Sequence, residues 1–323
     1  GAEKGDGALG PIQPEIVEKV DHLVANTRPC RQMQTKLASC PIMQPVGQHP
    51  GSSSSIVRFP HSASPARPEF TWSRTAFSVI VGPCSIEGLE MFEHIARSAR
   101  TLGLTALRGG IFKARTKPDS FQGLGSKGYE IARRVSREVG MPLISEITDP
   151  RQIDSLAPVV DVFQVGARNM HNTELLKELG RLPQPVLLKR GLSAYLDELV
   201  AAADYIAAGG NNKIAFCERG IRTFERATRN TLDLAAVPYL QQKTGLPVIV
   251  DPSHGTGVPS LIAPMVWAAA ACGADGVLLE VHPNPKKALS DGDQALTPLD
   301  LEGLMPRLQR ILEAVGKPIH QLA

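Results

Sequence analysis

The sequence predicts an α/β fold, a (β/α)8 TIM barrel, over residues 76–323. Eight short apolar segments alternate with helical patterns over about 240 residues, and this alternation is the repeat of strand and helix that the barrel requires. Several helical patterns end in glycine just past the last apolar position, as a helix C-cap does. An open doubly wound sheet seldom has eight regular units, and no GxGxxG motif follows the first strand. We therefore favour the closed barrel.

The predicted strands are short and apolar. In chain order they are SVIVG, LTALRGG, PLISE, DVFQVGA, PVLLKRG, KIAFCE, PVIVD and GVLLEV. The helical patterns between them include MFEHIARSARTLG, KGYEIARRVSREVG, LDELVAAADYIAAGG and SLIAPMVWAAAACGA. The sequence thus predicts that a helix follows each strand, and this alternating order is that of a (β/α)8 barrel.

Residues 1–75 differ from the rest and are predicted to be an N-terminal extension. PEIVEKVDHLVANT, residues 14–27, is typical of one amphipathic helix with Pro14 near its first turn. Residues 41–68 are rich in Pro, Ser and Gly and indicate an irregular linker. The segments IVRFP and FTWSR could be two strands of a hairpin that closes one end of the barrel.

Composition excludes several classes of protein. The formal net charge of +3 is too small to indicate a nucleic-acid partner, but it is compatible with a basic pocket for an anionic metabolite. The chain has no run of about 18 apolar residues, so no membrane span is predicted. The N-terminus lacks the pattern of a secretory signal. Five irregularly spaced cysteines indicate reduced thiols rather than a disulfide framework, so we expect a cytoplasmic protein.

Polar residues stand at nearly every predicted strand end, where TIM-barrel enzymes carry their active sites. They are Cys84, Arg108, Lys113, Glu146, Arg168, Lys189, Cys217, Glu218, Arg219, His254 and Glu280. One such residue alone is usually a solvated loop charge. A set of them in register across eight strands indicates a functional site.

The first chemical group within this set offers mixed ligands to a metal. It comprises a thiol (Cys84), an imidazole (His254) and the carboxylates of Glu280 and, in the next loop, Asp291. Sulfur, nitrogen and oxygen together suit Mn²⁺, Fe²⁺, Co²⁺ or Zn²⁺ better than Mg²⁺ or Ca²⁺. An all-cysteine structural zinc site is excluded because the chain has no CxxC pair.

The second group is cationic, and so many cations around one barrel mouth need phosphate or carboxylate partners. Its members are Arg108, Lys113, Arg115, Lys117, Arg168, Lys189, Arg190, Arg219 and Arg222. A metal beside such a pocket, without a P-loop or kinase signature, suggests carbon chemistry on sugar phosphates.

At these residues the sequence resembles the 3-deoxy-D-arabino-heptulosonate 7-phosphate (DAHP) synthases of the type Iβ branch. That branch is related to 3-deoxy-D-manno-octulosonate 8-phosphate synthase. The matching segments follow the family order from Val79 to about Pro298: GPCSIE, LRGGIFKARTKPDSFQGLG, QVGARNM, LLKRG, CERGIRTFE, TRNTLDL, DPSHGTG and EVHPNPKKALSDGDQALTP.

The resemblance implies condensation of phosphoenolpyruvate with erythrose 4-phosphate, giving DAHP and phosphate. This is the first step of the shikimate pathway, here in primary or in secondary metabolism. The implied metal ligands are Cys84, His254, Glu280 and Asp291, with Mn²⁺ as the expected ion and Co²⁺, Fe²⁺ or Zn²⁺ as alternatives. The family also implies a homodimer or homotetramer.

The resemblance assigns the remaining residues as well. Those that match the phosphoenolpyruvate site are Arg108, Lys113, Arg168, Lys189 and Arg219. Arg115 and Thr116 match the aldose-binding loop, and Glu146 matches a carboxylate near the attacking water. Lys113, Glu146, Cys84 and His254 are thus the expected catalytic residues.

Two further side chains are interpreted without help from the family. Cys217 is predicted to be a packing cysteine. His282 is either a donor beside Glu280 or an ordinary strand-end histidine.

Three departures from the family pattern leave alternatives open. The aldose loop reads KARTK where the family usually has KPRTS, and Lys117 would add a cation beside the aldose phosphate. Residues 257–260, GVPS, replace a more basic continuation. Residues 1–75 resemble neither the ferredoxin-like regulatory domain nor the chorismate mutase domain that is often fused to this branch. The alternatives are therefore another aldose such as arabinose 5-phosphate, or a catalytically silent regulatory barrel.

Overall fold

The computed structural model describes residues 70–113 and 119–320, which all belong to the larger of the chain's two units, His49–Ala323. The predicted helix at residues 14–27, the linker at residues 41–68 and the segment IVRFP lie outside the described residues. The segment FTWSR, residues 70–74, is described and forms no strand, so this half of the predicted hairpin is wrong. Its aromatic side chains pack against the barrel instead of alternating along a strand.

Eight parallel strands close into a barrel in which each strand pairs with the next and the last pairs with the first. The strands are β1 (Ser78–Gly82), β2 (Ala106–Arg108), β3 (Leu143–Ile147), β4 (Val162–Val165), β5 (Val186–Lys189), β6 (Ile214–Glu218), β7 (Val248–Val250) and β8 (Gly276–Glu280). The closing pair runs from Ser78 opposite Gly276 to Gly82 opposite Glu280. Each observed strand overlaps a predicted one, so the TIM barrel is confirmed.

Helices connect the strands. They are α1 (Leu89–Thr101), α2 (Ser126–Val139), α3 (Ile153–Leu156), α4 (Thr173–Gly180), α5 (Leu196–Ala208), α6 (Ala236–Thr244), α7 (Pro252–Thr256), α8 (Pro259–Ala271) and α9 (Pro298–Ala314). The four helical patterns cited above correspond to α1, α2, α5 and α8. α2 ends at Gly140, whose φ of 67° is the left-handed C-cap that its sequence predicts. None of the described helices is long and apolar enough to cross a membrane.

Alternation along the strands divides the core into two layers. Val79 and Val81 of β1 belong to the cluster that includes the helices, whereas Ile80 belongs to the cluster inside the barrel. The inner cluster comprises Ile80, Ala106, Ile144, Val162, Leu187, Ala215, Cys217, Ile249 and Leu278, together with Phe70. Cys217 is therefore a core side chain, in agreement with its interpretation as a packing cysteine.

Phe70 and Trp72 close the N-terminal end of the barrel. Phe70 is 6% exposed within the inner cluster, and the Trp72 ring meets it edge-on with the centroids 4.7 Å apart. This segment lies beside the starts of the strands, as shown by the hydrogen bond from Arg74 Nη1 to the carbonyl of Gly245, just before β7. A buried phenylalanine contributes about 2–3 kcal/mol. The polar residues that line the cavity lie at the opposite, C-terminal end of the strands.

Candidate active site

Four potential metal ligands meet where β7, β8 and β1 lie side by side. Cys84 follows β1, His254 lies in α7 after β7, Glu280 ends β8, and Asp291 lies in the loop after β8. One ligand atom from each residue falls within 4.8 Å of all the others. The set that the sequence singled out is thus assembled by the closure of the barrel.

Contacts within this cluster are short. The Cys84 Sγ donates to Asp291 Oδ2 at 2.8 Å, and His254 Nε2 lies 3.3 Å from Glu280 Oε1. The Lys113 Nζ contacts the Cys84 Sγ and lies 3.2 Å from Asp291 Oδ2. A cationic group therefore already contacts two of the four candidate ligands.

Electrostatics of the cluster favour a cation. Burial and the nearby Glu280 raise the pKa of the Cys84 thiol to about 12. Burial would also raise the pKa of Asp291, but Lys113 and His254 hold it below its usual range. The donor set of sulfur, nitrogen and two carboxylates fits a borderline divalent ion, and such an ion would favour the thiolate form of Cys84.

Asp251 fixes the position of His254. It is the N-cap of α7, and its Oδ1 accepts the backbone N–H of His254 at 3.0 Å. Its Oδ2 lies 2.7 Å from His254 Nδ1 and 2.6 Å from the Nζ of Lys189. Burial lowers the pKa of His254, so the imidazole is neutral at neutral pH, as metal ligation requires.

Beside this cluster lies a cavity of about 440 Å³ whose wall is strongly basic. Its Arg and Lys residues are Arg108, Lys113, Arg168, Lys189, Arg219, Arg222 and Arg229. Glu146, His254 and Asp291 also line it. All five residues expected to bind phosphoenolpyruvate therefore face one space, next to the candidate metal ligands. Their roles remain predictions.

Two of these cations are held by the ends of the barrel strands. Arg108, at the end of β2, donates from Nη1 to the Pro83 carbonyl at 2.7 Å and to Glu280 Oε1 at 2.8 Å. Arg219 directly follows β6 and donates to the Gly220 carbonyl at 3.1 Å. Burial lowers the pKa of Arg219. Because both guanidinium groups are almost fully buried, an anion that binds them meets little competition from water.

Glu146 reaches the cavity from β3 because the facing residue is a glycine. A Cβ at Gly166 would lie 2.0 Å from Glu146 Oε1, so no other residue fits there without displacing the carboxylate. Gly166 has φ −67° and ψ 157°, a conformation that any residue adopts. The glycine is therefore required by the space that Glu146 occupies and not by its own backbone.

Arg190 does not face the cavity, which corrects the sequence-based assignment. Its Nη1 lies 2.9 Å from Glu218 Oε2 and 3.1 Å from Asp233 Oδ2, and its Nε donates to the Ala194 carbonyl. Successive residues of β5 and of the loop after it alternate in direction. Lys189 points into the barrel mouth, so Arg190 points the other way.

The ring nitrogens of His282 contact Asn284 and Glu87 and not Glu280, contrary to one of the two interpretations. Its Nδ1 accepts the backbone N–H of Asn284 at 3.0 Å, and its Nε2 lies 3.5 Å from Glu87 Oε2. It is a buried histidine of the loop after β8. Arg115, Thr116 and Lys117 lie outside the described residues, so the aldose-loop assignments stay predictions.

Sequence reasoning missed three residues of this site: Asp251, Arg229 and Gln294. Asp251 is the first residue after β7, so the search of strand ends could have found it. Arg229 lies in the long loop after β6 and Gln294 is an uncharged residue of the loop after β8. Both lie inside segments that match the family, TRNTLDL and EVHPNPKKALSDGDQALTP, but their residue types alone do not show that the folded loops bring them to the carboxylates.

Comparison with known proteins gives consistent matches. The profile of the family described as "DAHP synthetase I family" matches residues 69–315. The chain is 46% identical over 244 residues to phospho-2-dehydro-3-deoxyheptonate aldolase of Thermotoga maritima, covering 76% of this chain and 72% of that protein. It is 31% identical over 256 residues to 2-dehydro-3-deoxyphosphooctonate aldolase of a Synechococcus species, covering 74% and 89%.

Two solved structures of DAHP synthases also match this chain. The crystal structure of the Thermotoga maritima DAHP synthase superposes with a TM-score of 0.74 at 46% identity, covering 76% of this chain and 72% of that one. A truncated form of 3-deoxy-D-arabino-heptulosonate 7-phosphate synthase from Thermotoga maritima gives a TM-score of 0.72 at 43% identity, covering 76% and 90%.

Proposed function

The chain belongs to the DAHP synthetase I family, and from this premise we propose that it condenses phosphoenolpyruvate with erythrose 4-phosphate to give DAHP and inorganic phosphate. The observation that carries the proposal is the meeting of Cys84, His254, Glu280 and Asp291 at one wall of a basic cavity. An ion and a polyanionic substrate can therefore be held side by side. The same reaction is the first step of the shikimate pathway.

The cations of the cavity bind and orient phosphoenolpyruvate. Arg108, Lys113, Arg168, Lys189 and Arg219 are the residues that would hold its carboxylate and phosphate. Arginine offers paired N–H donors that match both groups, and buried arginines keep their direction. Because the cavity fixes C3 of phosphoenolpyruvate relative to the aldose, binding lowers the entropic cost of the bimolecular step.

The chemistry then needs an electrophile, a water molecule and a leaving phosphate. A divalent ion bound by the four ligands would supply Lewis acidity toward the aldehyde oxygen. C3 of phosphoenolpyruvate attacks the aldehyde carbon, and the aldehyde oxygen takes up a proton to become a hydroxyl group. Water then adds at C2, which the loss of the enol electron pair has left electron-poor. Glu146, on the cavity wall, takes the proton from that water. Phosphate leaves by cleavage of the C2–O bond, and the surrounding cations stabilise its charge.

Mn²⁺ is our first proposal for the ion, with Co²⁺, Fe²⁺ and Zn²⁺ as alternatives. The thiol and imidazole of Cys84 and His254 are borderline to soft ligands, and the carboxylates of Glu280 and Asp291 are hard ones. Elemental analysis of the purified protein identifies the native ion. Activity in excess chelator, with no metal bound, would contradict this part of the proposal.

The aldose is tested by measuring phosphate release from phosphoenolpyruvate with a panel of aldose phosphates. We expect release with erythrose 4-phosphate and little with arabinose 5-phosphate, because the more similar relative is the heptonate enzyme at 46% identity against 31% for the octonate enzyme. Preference for arabinose 5-phosphate would support the alternative substrate. No release with any aldose, in a metal-loaded protein, would support the silent barrel. Glu146→Gln serves as the inactive control.

We propose a cytoplasmic homodimer or homotetramer, as the family resemblance implies. The described cysteines Cys84, Cys217 and Cys272 are all free thiols, which suits a reducing compartment. Light scattering of the full chain gives the oligomeric state directly.

A further inference from the structure

Each of the two candidate carboxylate ligands has one oxygen directed toward the cluster and the other bound elsewhere. Glu280 Oε1 lies 3.3 Å from His254 Nε2, within the cluster, and also accepts a hydrogen bond from Arg108 Nη1. Glu280 Oε2 accepts a hydrogen bond from Gln294 Nε2. Asp291 Oδ2 faces the Cys84 thiol, and Asp291 Oδ1 lies 3.2 Å from Arg229 Nη1. The outward oxygens are therefore both taken by residues that are not themselves candidate ligands.

The two outer residues are joined to each other. Arg229 Nη1 also donates to Gln294 Oε1, so one guanidinium connects Asp291 to the amide that binds Glu280. Gln294 is 2% exposed, and both ends of its side-chain amide are used. A buried amide with both ends bound has one orientation only. Gln294 on Oε2 and Arg108 on Oε1 therefore hold the Glu280 carboxylate from both sides.

The loop after β8 supplies both Asp291 and Gln294. Asp291 precedes the short turn Gly292–Gln294 and Gln294 ends it, and the Gln294 N–H donates to the Asp291 carbonyl at 3.3 Å. Asp291 has a φ of 50°, the left-handed region that non-glycine residues seldom adopt. Strained backbone of this kind persists where the surroundings hold it. The contacts to Arg229 and Cys84 are such surroundings.

We propose that Gln294 and Arg229 are positioning residues for the metal site: they hold the outward oxygens of Glu280 and Asp291 so that Oε1 and Oδ2 face the ion. The inference rests on the proposed function, since it requires the four ligands to bind a divalent cation. Outer partners of this kind fix the direction of a ligand, and their loss typically weakens metal binding by about 10- to 100-fold.

Gln294 is the cleaner of the two to test, because Arg229 also lines the cavity and its loss would alter substrate binding as well. Gln294→Met keeps the length and volume of the side chain and removes both hydrogen bonds. The dissociation constant for Mn²⁺ or Co²⁺ is measured by competition with a chelator, without substrate. We expect it to rise about 10- to 100-fold, and the absorption bands of the Co²⁺ form to shift as Glu280 changes its coordination.

Gln241→Met is the matched control. Gln241 Nε2 donates to Asp275 Oδ2 at 2.7 Å and to the Gly273 carbonyl, near the starts of β7 and β8 and away from the candidate ligands. It is therefore the same kind of contact, from glutamine to a buried carboxylate, at the other end of the barrel. We expect Gln241→Met to lower the thermal midpoint and to leave the metal dissociation constant within about twofold of the wild type.

The outcomes separate this inference from the proposed function. Wild-type protein that binds no divalent ion would overturn the metal site itself. Wild-type protein that binds the ion, with Gln294→Met binding it equally tightly and with the same Co²⁺ spectrum, would overturn the positioning role alone. A lower thermal midpoint in Gln294→Met with unchanged metal affinity would likewise show that Gln294 only stabilises the fold.

Discussion

The Nζ of Lys189 lies 2.6 Å from Oδ2 of Asp251, and the two side chains are 5% and 0% exposed. The same carboxylate lies 2.7 Å from His254 Nδ1. One buried acid thus joins a lysine proposed to bind phosphoenolpyruvate to a histidine proposed to bind the metal. Removing one partner of a buried pair leaves an uncompensated charge, which is far more costly than the loss of an exposed pair.

Asp251→Asn should lower both stability and metal affinity. The ammonium of Lys189 would remain buried without its counter-charge, so we expect a loss of about 3–5 kcal/mol in the free energy of unfolding. The neutral amide also holds His254 less firmly, so metal binding should weaken by about 10-fold or more. Urea denaturation and chelator competition measure the two effects. A variant as stable as the wild type would contradict the ion pair.

The Asp251 contribution should depend on pH in a defined direction. Burial by itself raises the pKa of Asp251, but His254 and Lys189 lower it well below its usual 3.8. A carboxyl with a depressed folded-state pKa stabilises fully above its unfolded pKa and loses that contribution as the pH falls through the folded pKa. We expect the stability difference between wild type and Asp251→Asn not to shrink from about pH 7 to 5, because Asp251 raises the pKa of His254 and easier protonation of His254 in the wild type can only enlarge it. It should shrink only below about pH 3.8, and a difference that shrinks near neutrality would contradict this.

Metal binding should release one proton, from Cys84. Without an ion the pKa of its thiol is raised to about 12, so the thiol is protonated at neutral pH and must ionise to ligate. Neutral His254 and ionised Glu280 and Asp291 release none. The apparent association constant should therefore rise about tenfold per pH unit between pH 7 and 9. Calorimetry in buffers of different ionisation enthalpy counts the proton directly.

Cys84→Ser supplies the control for that measurement. A hydroxyl is a much poorer ligand than a thiolate, so the variant should bind the ion weakly and without the pH slope. If Cys84→Ser keeps the wild-type affinity and the same slope, the thiol is not the group that ionises.

Gly166→Ala should impair catalysis without unfolding the protein. Its Cβ would lie 2.0 Å from Glu146 Oε1 and displace that carboxylate, and a displacement of about 1 Å at a reacting group can cost roughly 100-fold in rate. We expect kcat to fall by about 10- to 100-fold with a small change in KM for phosphoenolpyruvate. Gly303→Ala, in α9 with open space at its Cβ, is the matched control and should be neutral or slightly stabilising. Equal kcat values in both variants would show that the position of Glu146 is unimportant.

The fold and most of the candidate site follow from local signals in the sequence. The hydrophobic periods that predict strands and helices depend only on neighbouring residues. Because a closed parallel barrel brings the C-terminal ends of all its strands together, the sequence alone predicts that Cys84, His254 and Glu280 lie close to one another. It is not enough for Gln294 and Arg229, because their loops acquire direction only from tertiary contacts. The strand predicted at FTWSR is wrong because tertiary contacts also decide this segment. Phe70 is buried against the end of the barrel and not against a partner strand.

Arg190 follows a strand end and yet faces away from the cavity, so its substitution should affect stability and not substrate binding. Lys189 and Arg190 are adjacent cations at the end of β5, and the sequence assigns both to the cavity. The structure instead pairs Arg190 with Glu218, whose pKa is raised by burial. Arg190→Met should therefore lower the free energy of unfolding by about 3–5 kcal/mol, because Glu218 is left buried and unpaired. Its KM for phosphoenolpyruvate should stay within about twofold of the wild type.

Two companion variants make this prediction decisive. Arg190→Met combined with Glu218→Gln removes both charges and should recover part of the lost stability, since a neutral amide is cheaper to bury than an unpaired carboxylate. Arg168→Met removes an exposed cation from the cavity wall. It should raise the KM for phosphoenolpyruvate by about 10-fold or more, because hydrogen bonds to a charged partner contribute about 1.5–3 kcal/mol, and it should leave stability nearly unchanged. If Arg190→Met raised KM as Arg168→Met does, at wild-type stability, Arg190 would belong to the cavity after all, because an ion-pair partner of Glu218 cannot be lost without affecting the fold.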